Sequence, residues 1–159
     1  MNAVSTTSNF EGVETAMVAT SGVAAGLGCS TASPCVTAQY LYIDGSVAGD
    51  YFNVHEVVIK GLDGTGYTIL SGTMSSTWSG GSAGEDDISN CFDGVTSNTC
   101  HSGTSTSWWA YFDLGAAKCV ATIELSNRVD SDGCSTCSAR IVGAVLSLRT
   151  TSSGTPLWS

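Results

Sequence analysis

Short runs of β-branched and aromatic residues alternate along the chain with stretches rich in Gly, Ser and Asp, and this alternation most limits the possible fold. The first two runs, 39–44 and 54–60, each lead into a glycine turn signal. Three further runs lie at 108–114, 120–125 and 140–148. Helical periodicity is nearly absent, so we predict an all-β fold.

The rest of the chain carries weaker signals. At 159 residues it has the usual size of one domain, and we predict a single β-sandwich over 1–159. Residues 1–38 are weakly periodic and predict an extended or irregular segment, which would pack on a neighbouring subunit in an assembly. Residues 71–107 have loop composition, and so long a loop is usually functional or held by ligands and disulfides.

Seven cysteines in a chain with only 12% charged residues indicate an oxidising, extracellular compartment. Three sequence-local disulfides are predicted: Cys29–Cys35, Cys91–Cys100 and Cys134–Cys137. Cys119 then remains in an apolar run, which favours a free core cysteine over an intermolecular bridge. The C-x-x-C segment 134–137 is also half of a zinc site, but no second pair accompanies it, so a disulfide is favoured.

The net charge of −9, from 14 acidic and 5 basic residues, argues against a nucleic-acid partner and favours cations. The alternative is that the acids simply keep the surface soluble. No apolar run approaches the roughly 20 residues of a membrane span. The first residues lack the basic and apolar segments of a signal peptide, so we expect a mature or excised segment.

Four motifs occur in a particular order: N-x-x-D-G at 90–94, a paired-tryptophan strand ending in D-L-G at 108–115, N-R-x-D at 127–130 and R-I-x-G-A at 140–144. With them the chain resembles F-type lectins (fucolectins), relatives of the coagulation-factor discoidin domain. The resemblance covers about 71–150. It implies a disulfide-stapled jelly-roll β-sandwich that binds calcium and fucose-type glycans.

The order of the remaining segments departs from that family. Residues 40–43 and 51–59 are similar to the family's closing strands, yet they precede the opening and middle strands of 71–159. Residues 39–70 therefore correspond to the closing strands of the family, although in this chain they precede the opening strands. Circular permutation, a segment of a tandem array, and a subunit completed by its neighbours all explain this order. The last two imply a polymer of identical units joined head to tail.

The resemblance implies a calcium site built from two distant segments. Its ligands would be Asn90 by its carbonyl, Asp93 and Glu56 by their carboxylates, and the adjacent carbonyls of His55 and Val95. Val95 stands where the family often has Asn, which matters little if only the carbonyl coordinates. Such oxygens suit calcium. The alternative is that Asp93 caps its Asp-Gly turn and Glu56 is solvated.

The resemblance also implies a sugar-binding motif of His, 26 residues, R-x-D, four residues, then Arg or Lys. His101, Arg128 and Asp130 have that spacing, but nine residues instead of four precede Arg140. The lengthened loop either carries Arg140 to the same place or fills the pocket. Alternatively, Arg128 and Asp130 form a structural ion pair and His101 is a loop residue.

Catalysis has no support in the sequence, since the two His residues stand apart without H-E-x-x-H spacing. We therefore expect a protein that is not an enzyme. The first hypothesis is an extracellular structural or adhesive module that assembles head to tail into a fibre or array. The second is a calcium-dependent lectin for fucose-type glycans. A third is a carbohydrate-binding appendage of an enzyme.

Overall fold

The computed structural model describes residues 35–45, 50–78, 86–103, 106–129 and 134–159, and the backbone of 13–17. Within them lie eight strands: β1 (Val13–Met17), β2 (Val36–Asp44), β3 (Asn53–Lys60), β4 (Ser71–Met74), β5 (Cys100–His101), β6 (Trp109–Val120), β7 (Thr122–Asn127) and β8 (Val145–Arg149). Two 3₁₀ helices, Ile88–Cys91 and Cys137–Ala139, lie in the loops.

The all-β prediction is confirmed, and the first two predicted runs correspond to β2 and β3. The predicted strand at 140–148 is wrong in its first half. Residues 140–144 form successive turns, with hydrogen bonds from Val142 N to Ala139 O at 3.1 Å and from Ala144 N to Ile141 O at 3.1 Å. Gly143 has a φ of 89°, a left-handed conformation that a strand does not contain.

The strands form two four-stranded antiparallel sheets, with orders β1-β7-β3-β5 and β4-β6-β2-β8. Sequence neighbours β6 and β7 lie in different sheets, so the chain crosses between sheets at Ala121. The short strands β4 and β5 lie in the stretch 71–107 whose composition predicts a loop. Each forms one edge of its sheet, which a pattern of only two to four residues does not reveal.

Both sheets bury side chains in one hydrophobic core. Leu41 and Ile43 of β2 and Phe112 of β6 meet Val57 and Ile59 of β3, and each is at most 1% exposed. The neighbouring residues on β2 and β6 are partly exposed, as the two-residue period of a strand requires. Burial of such side chains contributes roughly 1.5–3 kcal/mol each, so this shared core stabilises a sandwich-like pair of sheets.

Three disulfides link the described residues. Cys91–Cys100 and Cys134–Cys137 form as predicted. The predicted Cys29–Cys35 pair and free Cys119 are wrong, because Cys35 bonds Cys119 across 84 residues. The register of β2 on β6, with Thr37 opposite Cys119, brings the two cysteines together. Cys29 lies outside the described residues.

Candidate functional site

Two neighbouring strands place Asn53 and His101 side by side. Asn53 begins β3 and pairs in register with His101 at the end of β5. Ser102 N donates to Phe52 O at 2.9 Å, which fixes this edge of the sheet. Asn53 is fully buried and His101 is 7% exposed. Two polar side chains are therefore held out of water at the start of β3, where burial requires hydrogen-bond partners.

Arg128 and Arg140 reach the same place from the chain after β7. Asn127, opposite Val54 of β3, ends β7 and so sets the position of Arg128. Its Nδ2 also donates to Ser138 O at 2.9 Å, which anchors the 3₁₀ helix that precedes Arg140. The Cys134–Cys137 disulfide closes the same turn. Arg140 therefore lies beside Asn53 at the start of β3. This is the position expected from the first alternative above, in which the longer loop brings Arg140 to the same place as His101 and Arg128.

The cationic and imidazole side chains converge on the Asn53 carboxamide. With its oxygen turned toward them, Oδ1 lies 3.0 Å from His101 Nε2, 3.1 Å from Arg140 Nη1 and 3.2 Å from Arg128 Nη1. We call Asn53, His101, Arg128 and Arg140 the donor cluster. Sequence reasoning named three of its members. It missed Asn53, which carries no signal beyond its place in a strand.

The two nitrogens of the His101 ring face different groups. Nδ1 lies 2.7 Å from Ser102 O, which only accepts hydrogen bonds, so Nδ1 carries a proton. Nε2 lies 3.1 Å from Arg140 Nη1 and 3.0 Å from Asn53 Oδ1. Burial lowers the pKa of His101 below its ordinary 6.5, and the nearby guanidiniums of Arg140 and Arg128 act in the same direction.

An aromatic wall adjoins the donor cluster. The Tyr51 and Trp78 rings meet edge to face at 5.7 Å, and their centroids lie 5.1 and 5.3 Å from the His101 ring. The Arg140 guanidinium stacks 5.2 Å from the Tyr51 ring. Trp78 N donates to His101 O at 2.9 Å, and the Trp78 side chain is 41% exposed. The site therefore offers polar donors beside an exposed apolar surface.

Asp50 holds Arg140 from the other side. Its Oδ2 lies 3.4 Å from Arg140 Nε, and its Oδ1 accepts from Tyr51 N at 2.9 Å. Its carbonyl accepts from Nε1 of the buried Trp108. Sequence reasoning missed Asp50, Tyr51 and Trp78; aromatic residues inside or beside Ser-rich loops were the available signal. Asp130 lies outside the described residues.

The second predicted site brings Glu56 to the N-x-x-D-G loop. Gly94 N donates to Glu56 Oε2 at 3.2 Å. Glu56 is 7% exposed, and burial together with the nearby Asp93 carboxylate raises its pKa to about 7, against the lowering effect of the Gly94 hydrogen bond. The two carboxylates from distant segments therefore lie near each other, in a setting that disfavours ionisation of Glu56.

The loop itself is closely hydrogen-bonded. Asp93 accepts from Val95 N and Asn98 Nδ2, both at 2.8 Å, so it caps the turn as the alternative interpretation holds. Asn90 Nδ2 donates to Thr99 O at 3.0 Å, and His55 Nδ1 lies 2.6 Å from Asn98 O. Within the described ranges, no three His, Cys, Asp or Glu side chains form a group suited to a metal ion.

No protein-family model, curated protein or solved structure gives a significant match to this chain. In the part of the chain that the structure describes, no helix is long and apolar enough to cross a membrane. The contacts above are therefore the basis of any functional assignment.

Proposed function

We propose that this domain is a non-enzymatic, extracellular module that binds a saccharide at the donor cluster. The convergence of His101, Arg128 and Arg140 within 3.0–3.2 Å of one carboxamide oxygen carries the proposal. In the sequence, His101 and Arg128 fit the spacing of the fucose-binding motif of F-type lectins, whereas Arg140 follows Asp130 after nine residues instead of four. The three disulfides favour a secreted location.

Saccharide binding suits the chemistry of the cluster. Each guanidinium carries five N–H donors in a fixed fork, and the Asn53 oxygen accepts from one nitrogen of each. Sugar hydroxyls and ring oxygens accept such hydrogen bonds. The C–H face of a pyranose packs against aromatic rings, and the half-exposed Trp78 lies beside the donors. Both requirements of a sugar site, directional donors and an apolar wall, therefore lie together.

The finer fold proposed is a jelly roll of the F-type lectin and discoidin kind in permuted order. Its support is the pairing of segments that the family holds at opposite ends. Strands β2 and β3, which resemble family closing strands, pair with β6 and β7 of the family's middle region inside one chain. The reversed order is thereby compatible with a single chain, which favours circular permutation.

Calcium is proposed at the Glu56 loop. Glu56, Asp93, Asn90 and the carbonyls of His55 and Val95 supply oxygen ligands of the kind that calcium prefers. The raised pKa of Glu56 supports this assignment, because a divalent cation would stabilise the ionised pair of carboxylates. The ion would then tie β3 to the loop closed by Cys91–Cys100.

Glycan-array screening followed by calorimetric titration tests the saccharide proposal. Arg128→Ala and Arg140→Ala should each weaken binding by roughly 10- to 100-fold, since a charged hydrogen bond contributes about 1.5–3 kcal/mol. Lys60→Ala is the control, because Lys60 pairs with Glu124 at the end of β3 far from Asn53. Melting curves verify that the variants fold. A wild-type protein that binds no glycan, or unchanged affinity in both cluster variants, would refute the proposal.

Head-to-tail assembly into a fibre or array stays a prediction as the second candidate. It is favoured by the order of the segments that resemble the family, which is also the order that a tandem array would give. Light scattering and electron microscopy of the purified protein measure it directly. Filaments or very large particles are expected if it holds, and a stable monomer argues against it.

A further inference from the structure

A row of four aromatic side chains lies on the outer face of the sheet β4-β6-β2-β8. We call Tyr40, Tyr42, Trp109 and Tyr111 the aromatic row. They are partly exposed, whereas the residues that alternate with them on β2 and β6 are fully buried in the core. Tyr42 and Tyr111 are direct cross-strand partners. The row is thus continuous across two strands and does not contribute to the core side of the sheet.

Three rings of the row, those of Tyr42, Trp109 and Tyr111, are nearly parallel. Trp109 and Tyr111 have centroids 6.0 Å apart and planes 4° apart, and Tyr42 and Trp109 lie at 6.2 Å and 15°. The Arg149 guanidinium sits 3.9 Å from the Tyr42 ring centroid and covers one end of the row. Such fixed, parallel rings lose little conformational freedom on binding.

Hydrogen bonds fix the Tyr40 end of the row. Gln39 Nε2 donates to Asp113 at 2.9 Å and to the Tyr40 hydroxyl oxygen at 3.1 Å. Tyr40 in turn meets the Tyr111 ring edge to face at 6.0 Å. Polar acceptors and donors therefore flank the apolar surface, which suits a ligand whose edge carries hydroxyl groups.

The area and the charge of this face indicate which kind of ligand it can bind. With less than half of each ring exposed, the row offers at most roughly 400 Å² of aromatic surface, below the about 800 Å² that each partner of a stable protein complex buries. Asp44 and Asp113 lie opposite Trp109 and Tyr40 on this face, and the chain carries a net charge of −9. A polyanion would be repelled, and a second copy would bury too little area.

We propose that the aromatic row binds a linear, uncharged polysaccharide of β-linked pyranose units, independently of the donor cluster. Pyranose rings with equatorial substituents present successive C–H faces along the polymer, and these pack on aromatic π-faces. Their hydroxyl groups reach the flanking carboxylates and Gln39. The row lies on β2 and β6, whereas Asn53 and His101 lie on the other sheet, so each surface binds without the other.

Co-sedimentation with amorphous cellulose and with chitin tests the row. The wild-type protein should bind at least one of the two, and Trp109→Ala or Tyr111→Ala should weaken binding at least tenfold. Trp78→Ala, which removes an exposed tryptophan beside the donor cluster, and Arg128→Ala should bind like wild type. Trp109→Tyr, which keeps a ring in the row, should retain most binding and guards against a folding defect.

Charge is tested by affinity electrophoresis in soluble hydroxyethyl cellulose and carboxymethyl cellulose. The uncharged polymer should retard the protein at least tenfold more strongly than the charged one. Three results would each overturn the proposal. The wild-type protein could bind neither cellulose nor chitin, Trp109→Ala could bind as strongly as wild type, or the two soluble polymers could retard the protein equally. A wild-type dimer that Trp109→Ala converts to a monomer also overturns it, because the row would then be a protein interface. If the donor cluster binds no glycan, the results expected for the aromatic row stay the same.

Discussion

The buried Glu56 carboxyl makes a quantitative prediction about stability. Its pKa rises from 4.5 to about 7 on folding, mainly because burial removes it from water. Each pKa unit corresponds to 1.36 kcal/mol, so ionising Glu56 in the folded protein costs about 3 kcal/mol. The folded state binds more protons than the unfolded state between these two values. Without calcium, this contribution to stability is complete below pH 4.5 and is lost as the pH rises to about 7.

Glu56→Gln isolates this contribution. The amide keeps an oxygen that can accept from Gly94 N but cannot ionise. Urea denaturation in the presence of a chelator should show little difference from wild type near pH 4.5. At pH 8 the variant should be more stable by up to about 3 kcal/mol. Adding calcium should stabilise the wild type at pH 8, by about 2.7 kcal/mol at a concentration 100 times the dissociation constant.

The pH dependence in chelator and the calcium response can be refuted independently. Equal stability of wild type and Glu56→Gln at both pH values in chelator would show that the carboxyl is not held in an unfavourable setting. A calcium response that persists unchanged in Glu56→Gln would remove Glu56 from the proposed metal site. The side-chain carboxyl resonance gives an independent measurement, since NMR titration should place its pKa near 7 in chelator.

Three further predictions concern the core and the donor cluster. Replacing both Cys35 and Cys119 by Ser should cost about 4 kcal/mol in urea denaturation, because their bond closes a loop of 84 residues; no loss would contradict the pairing. Gly45→Ala should cost about 1–3 kcal/mol, since its Cβ would overlap the buried Trp108 ring; an unchanged melting temperature would refute this packing. NMR titration should place the pKa of His101 below 6.5, and stability should then increase as the pH rises toward 6.5 and level off above it; a pKa above 6.5 would contradict the effect of burial on this ring.

Local patterns were sufficient for the main strands and insufficient for the long-range pairing. β2, β3, β6 and β7 each contain enough β-branched and aromatic residues for periodicity to indicate a strand. Pairing by nearness along the chain failed for Cys35. The partner of a residue in an antiparallel sheet depends on which strands are neighbours, and that order is not visible in any local window.

The candidate site could be predicted only in part, because it also contains residues from distant segments of the chain. The resemblance named His101, Arg128 and Arg140, and the structure brings all three to the Asn53 carboxamide. Asn53 and Asp50, which contact these residues, lie about 50 or more residues earlier in the chain. No local sequence pattern links them to the motif, and only the fold brings them together. Contacts between such distant segments arise only when β3 lies beside β5 and β7.

The donor cluster is a poor solution for stability alone, and this bears on its function. Asn53 is fully buried at a strand position where an apolar side chain would pack without hydrogen-bond partners. It is instead surrounded by two guanidiniums and a buried imidazole whose protonation the site disfavours. Partial burial of the two guanidiniums and burial of the imidazole cost desolvation free energy, and replacing buried charged groups by apolar ones often stabilises a protein. The chain has only five basic residues and places two of them here, which supports the proposal that the cluster serves a ligand.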